Sequence, residues 1–233
     1  MPGRYRLVLA VGAVAVTAAC SSQSSDPVTQ DPAERRTAST PSSTPSSTPS
    51  TPSTEPAPEP QRPEPRRSFM SIPDLGMRDF PVVRYPGSPD DAPGTALQNA
   101  GEMASPRGPT GGVGPGEVGN FIVTGHRLTG AAPLRYSPSL RRGDRIRVLS
   151  GDTVFVYEVR RTRWTSFRQA RSLAAQRAPV PGRPGRTATR AMITLSTCAT
   201  LEDHAVGNYW SDEFDNPEHR IDKIGVLVAT RPA

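Results

Sequence analysis

Cysteine is scarce: the 233 residues hold two, Cys20 and Cys198. Cys20 closes an N-terminal apolar run and is committed there, so Cys198 has no evident disulfide partner and a disulfide scaffold is excluded. Long hydrophobic runs are also lacking. The apolar stretch of residues 7–19 spans only 13 positions, short of the roughly 20 that a membrane-crossing helix needs. Histidine occurs three times, as His126, His204 and His219. Lysine is nearly absent from residues 68–233, where Lys223 stands alone among 21 basic residues. Leu, Ile, Phe, Tyr and Trp are missing altogether from residues 21–67. A stretch without them buries too little apolar surface to offset the entropy of ordering, which excludes a packed domain there.

What is present divides the chain in three. Arg4 and Arg6 precede the apolar run, and Ala18, Ala19 and Cys20 close it. Residues 1–20 thus read as an export signal, with Ala-Ala-Cys resembling a bacterial lipobox in which Cys20 would be lipidated. An uncleaved anchor or ordinary signal cleavage would export the chain equally well. Residues 21–67, with a repeating Ser-Thr-Pro unit, read as a disordered linker that holds a domain away from the membrane. Residues 68–233 carry every aromatic except Tyr5 and suffice for one core.

Charge is unevenly spread over that domain. Residues 135–190 hold 14 arginines against Asp144, Asp152 and Glu158, whereas residues 199–222 hold seven acids against Arg220. A basic face of this kind can meet nucleic acid, but an exported chain seldom encounters any, so no nucleic-acid partner is expected and the arginines read as a solvated face.

The hydrophobic pattern of the domain is that of short strands. Residues 72–76, 80–85, 121–124, 145–149, 153–164, 191–198 and 220–230 fit them, the fourth and fifth joined as a hairpin across Gly151-Asp152. Residues 95–105 and 167–176 have helical composition, and 199–219 read as a long polar loop. Seven or eight strands with one or two short helices predict a mostly-β sandwich or barrel.

Two strand ends carry the chemistry-bearing residues. AMITLSTC ends in Cys198 and GNFIVT is followed by Gly125-His126-Arg127. Only a thiolate attacks a carbonyl, so a reactive cysteine needs a basic or cationic neighbour; a strand-end His126 can converge on it from the same rim of a sheet. Arg220 opens the last strand, and a permanently charged planar guanidinium suits an oxyanion. Taken singly these residues also fit a buried structural cysteine, a loop histidine and a salt-bridge partner for Asp215 or Glu218.

Five segments, in this order, resemble the sortase family: IPDLG at residues 72–76, GNFIVTGHR at 119–127, LRRGDRI at 140–146, TLSTC at 194–198, and a terminal strand opening at Arg220. TGHR is most similar to class E, while the lipobox and Ser/Thr/Pro stalk are similar to class F. The resemblance implies an eight-stranded β-barrel cysteine transpeptidase. Cys198 would attack the Thr-Gly carbonyl of an LPXTG- or LAXTG-like sorting signal and form a thioacyl-enzyme. His126 would protonate the leaving amine, Arg220 would stabilise the oxyanion, and Thr197 would line the substrate pocket. It further implies surface proteins with a C-terminal sorting signal as substrates, an amine of peptidoglycan or a pilin as acceptor, and no cofactor. The membrane would be met through the N-terminal anchor. One departure is the 21-residue spacing between Cys198 and Arg220, which leaves that arginine open to reassignment. His219 reads as incidental; the neighbouring acids fit a calcium site, attraction of a cationic amine or, best, a solvated loop.

Three rivals are distinguishable. An L,D-transpeptidase would carry Gly before its cysteine, where this chain has Thr197. A papain-like peptidase places Cys before His in the chain, the reverse of the order here. A non-catalytic wall-binding lipoprotein on a β-barrel would bury Cys198 as a structural thiol.

Overall fold

The computed structural model describes residue 64 and residues 66–233; Cys20, the signal segment and most of the linker lie outside the described residues. Eight strands close into a barrel in the order β1-β2-β3-β4-β7-β8-β6-β5. They are β1 (Arg67–Ile72), β2 (Met77–Pro86), β3 (Met103–Arg107), β4 (Gly119–Thr124), β5 (Arg145–Ser150), β6 (Thr153–Ser166), β7 (Ala191–Cys198) and β8 (His219–Pro232). Helices α1 (Ala92–Asn99), α2 (Ala170–Arg177) and α3 (Thr200–Ala205) lie in the connections. The mostly-β barrel expected from the sequence is present, with three short helices.

Alternation along the strands sets what faces inward. Phe121 and Val123 of β4, Ile193 and Leu195 of β7, and Tyr157 and Val159 of β6 meet Met70, Ile72, Met103, Ile146 and Val148 in one apolar core. Leu134 and Leu140, from the connection between β4 and β5, join that core. The Lys223 ammonium is buried with it, donating to the carbonyls of Pro138 and Leu140 at 2.7 Å and to Thr162 Oγ1 at 2.9 Å. A buried cation with three acceptors fixes the 138–140 backbone onto β8.

The outward face of β7 and β8 is buried as well, but by polar chemistry. Asp222 is fully buried, and its carboxylate accepts from Ser196 Oγ at 2.7 Å, Gln176 Nε2 at 3.0 Å, Thr165 Oγ1 and Arg163 Nη1. Burial pushes its carboxyl up, against those hydrogen bonds and Arg163, which pull it down. Asn120 Nδ2 holds the carbonyl of Gln176 at 2.8 Å. Helix α2 is thereby docked across the strands that lead to Cys198.

Three local readings differ from the sequence expectation. Residues 72–76 are not a strand: β1 ends at Ile72 and Pro73–Leu75 form a single 3-10 turn capped by Gly76 at φ 65, a left-handed position suited to glycine. The helix expected at 95–105 is α1, Ala92–Asn99, begun by the Asp91 cap and Pro93. Residues Met103–Arg107 form β3, parallel to β2. Finally, the polar loop after Cys198 contains α3.

Candidate active site

Strand register builds the site. β4 and β7 run parallel with Thr124 opposite Ser196, so His126 and Cys198 each follow two residues later at the same end of the barrel. β8 runs antiparallel to β7 and places Arg220 directly opposite Cys198. Directly paired residues share a face of the sheet. The three residues singled out in the sequence are therefore brought to one rim by backbone pairing.

Arg220 is 2% exposed and its Nη1 donates to Cys198 Sγ. Its Nη2 donates to Asn216 Oδ1 at 2.6 Å and its Nε to Asp90 Oδ2 at 3.1 Å. The Phe167 ring centroid lies 4.8 Å from the guanidinium carbon. The expected partners Asp215 and Glu218 are not its partners; the buried Asp90 is. Cys198 is a free, partly exposed thiol. Burial pushes its pKa above 9.0; Asp90 acts in the same sense, and Arg220 opposes both.

His126 is half-buried and its Nε2–H donates to Asn99 Oδ1 at 2.7 Å. Burial lowers its pKa below 6.5, Asp90 works against that, and Arg220 adds to it. The neighbouring Arg127 is buried; it pairs through both Nη atoms with Glu202 of α3 and donates to the Cys198 carbonyl at 3.3 Å. Asp203 of α3 accepts from the His219 backbone N–H at 3.0 Å and lies 2.7 Å from His219 Nδ1. His219, incidental by sequence, thus ties α3 to the start of β8, one residue before Arg220.

Thr197 does not line the outer rim. It shares the inward parity of Ile193 and Leu195, is 1% exposed, and donates its hydroxyl to the Gly125 carbonyl at 2.8 Å. Alternation puts its side chain on the face opposite Cys198. Its contact joins the end of β7 to the residue before His126. Thr197→Val is accordingly expected to lower the unfolding free energy by about 1–2 kcal/mol and to leave the peptide KM within about twofold. Denaturant melts and steady-state kinetics check this pair of outcomes; a large KM change would restore a substrate-lining role.

The acids after Cys198 are largely committed internally. Asp212 accepts from the backbone N–H groups of Phe214 and Asn216, each at 2.9 Å, and Glu218 from Asn208 Nδ2 at 3.0 Å. Among the described residues no group of three or more His, Cys, Asp or Glu side chains could hold a metal ion. Residues that the sequence did not single out are Asp90, Asn99, Arg127, Phe167 and Asn216. Arg127 alone carried a local signal, its place beside His126.

The family model for the sortase domain matches residues 70–209, more than half of the chain. The chain belongs to the sortase family. It is thus a cysteine transpeptidase of that family, whose substrates are sorting signals and whose acceptors are amines. No curated protein matches the chain. Among solved structures, this sortase is similar to sortase E1 from Streptomyces coelicolor, described with a tripeptide in its active site. Identity is 25% over 71% of this chain and 90% of that one, with a TM-score of 0.53. Sortase E from Streptomyces avermitilis is 26% identical over 71% and 89%, at 0.51. The SrtA sortase from Actinomyces oris shares the fold at 20% identity over 77% and 89%, with a TM-score of 0.55.

Proposed function

We propose that the chain is an exported sortase that cleaves an LPXTG- or LAXTG-like signal between Thr and Gly at Cys198. It would pass the acyl group to an amine of peptidoglycan or of a pilin. The observation that carries this reading is the register of β7 and β8, which sets Arg220 Nη1 on Cys198 Sγ. The Cys198 thiolate attacks the threonine carbonyl carbon, and the resulting oxyanion is met by the Arg220 guanidinium. His126, as imidazolium, gives its proton to the glycine nitrogen as the C–N bond breaks. The acceptor amine then attacks the thioester and loses a proton to His126; a C–N bond forms and the C–S bond breaks.

The TGHR segment and the likeness to sortase E at 25% and 26% identity support placement near class E. We further propose the organisation read from the sequence: residues 1–20 as signal with Cys20 lipidated, 21–67 as linker, and 68–233 as catalytic domain at the outer face of the cytoplasmic membrane. No helix among the described residues is long and apolar enough to cross a membrane.

The test incubates purified full-length chain with internally quenched LPXTG- and LAXTG-type peptides and reads intact mass. The expected result is an adduct on Cys198 equal to the peptide through its threonine, prevented by prior alkylation. A thiol that resists alkylation in the folded chain, with no adduct from any peptide, would overturn the reading in favour of the wall-binding lipoprotein.

A further inference from the structure

The turn between β2 and α1, Gly87 to Asp91, is built to aim one side chain inward. The Asp91 carboxylate accepts from the backbone N–H groups of Ser88 at 2.8 Å and Gly94 at 2.9 Å, and Tyr85 Oη donates to the Ser88 carbonyl at 2.6 Å. Between these anchors Asp90 takes φ 61, a left-handed conformation that non-glycine residues adopt uncommonly, aspartate among the more tolerant. Its side chain is 3% exposed.

One Asp90 oxygen accepts from Arg220 Nε at 3.1 Å; the other accepts from Gln98 Nε2 at 3.1 Å. The same Gln98 amide donates to Thr124 Oγ1 at 3.1 Å, at the end of the strand that leads to His126. With Asn216 on Nη2 and the Phe167 ring against its face, Arg220 is held at three places, and the remaining Nη1 meets the sulfur. A buried ion pair of this kind contributes little stability relative to an apolar pair of the same volume. Its use here is orientation.

We propose that Asp90 is a positioning residue for the transpeptidation, fixing the plane and rotation of the Arg220 guanidinium so that Nη1 faces the sulfur and the reacting carbonyl. The inference rests on the roles given above to Cys198 and Arg220. Its positioning action passes through Arg220 and should be lost once that side chain no longer offers an Nε–H and a planar fork, as in Arg220→Lys, whereas its charge acts on Cys198 and His126 in both backgrounds.

A double-substitution cycle on the full-length chain tests this, with single-turnover acylation by a peptide that the unaltered chain accepts. Asp90→Asn preserves shape and removes the charge. It is expected to lower the acylation rate about 10- to 30-fold with KM within about threefold. In the Arg220→Lys background it is expected to change the rate by less than about threefold, and Asp90→Glu is expected to recover part of the loss. Thermal melts confirm that each variant is folded. An unaltered rate in Asp90→Asn, or equal losses in both backgrounds, overturns the positioning role alone. An unsubstituted chain that forms no acyl-enzyme overturns the reading of the site, and this inference with it.

Discussion

Cys198→Ala is expected to bring Thr-Gly cleavage down to the uncatalysed background, and Arg220→Lys to lower kcat/KM by about 10²–10³-fold, equivalent to about 2.7–4 kcal/mol. The first follows because no second cysteine is present among the described residues to take over acylation. The second follows from shape. Lysine keeps the charge but presents a single point donor, whereas Arg220 satisfies Asp90, Asn216 and Cys198 at once from one rigid plane. Because the guanidinium would meet charge that develops on the carbonyl only during attack, the loss should fall on kcat and kcat/KM alike, with KM little changed. Arg220→Ala is a poorer test. It leaves the Asp90 carboxylate buried without its ion-pair partner, a defect of about 3–5 kcal/mol that would mix misfolding with lost chemistry. Stopped-flow acylation of the Arg220→Lys variant, normalised to titratable thiol, checks the prediction; a rate within about threefold of the unaltered chain would move oxyanion stabilisation to another group.

The difference between what was legible in the sequence and what was not has a physical pattern. Cys198, His126 and Arg220 were legible because each stands where an apolar alternation stops or starts, and the parallel β4–β7 and antiparallel β7–β8 pairings carry strand ends to a common rim. The barrel was legible for the same reason. β3 was not: Met103, Ala104, Ser105 and Pro106 are all buried, so no alternation marks the strand, and its proline reads as a break. Asp90 was not legible either. It stands 130 positions before Arg220, and its role as a partner exists only after the barrel closes. Thr197 was legible as a neighbour of Cys198, and its side chain is buried on the other face of β7. Sequence proximity to Cys198 suggested a shared pocket, while the period of two, already visible in Ile193 and Leu195, assigns it to the opposite face.

The reactivity of the thiol is expected to depend steeply on pH in a way that the surroundings of Cys198 dictate. Arg220 from β8 and Asp90 from the turn before α1 act on it, His126 follows β4 at the same rim, and Arg127 holds its carbonyl. Burial is the largest influence on both groups, and it raises the thiol from its ordinary value and lowers the imidazole from its own. At neutral pH the prevailing pair is then thiol and neutral imidazole, and the competent thiolate–imidazolium pair is a minority. Below the imidazole pKa both groups are protonated and no thiolate is available. Above the thiol pKa both are deprotonated and no acid serves the leaving amine. Peptide kcat/KM should therefore hold a plateau whose acid limb lies below pH 6.5 and whose alkaline limb lies above pH 9, each falling about tenfold per pH unit. Two carriers of the same bell exist, since an ion-paired thiolate also gives two limbs, and alkylation separates them. With iodoacetamide the rate is expected to be still rising well above pH 7 and to reach half its alkaline limit on the alkaline side of an ordinary thiol. Half-maximal alkylation below pH 9 would instead mean that Arg220 outweighs burial. A thiol held mostly protonated is slow to oxidise, which lets an unpaired Cys198 persist in the exported setting proposed above.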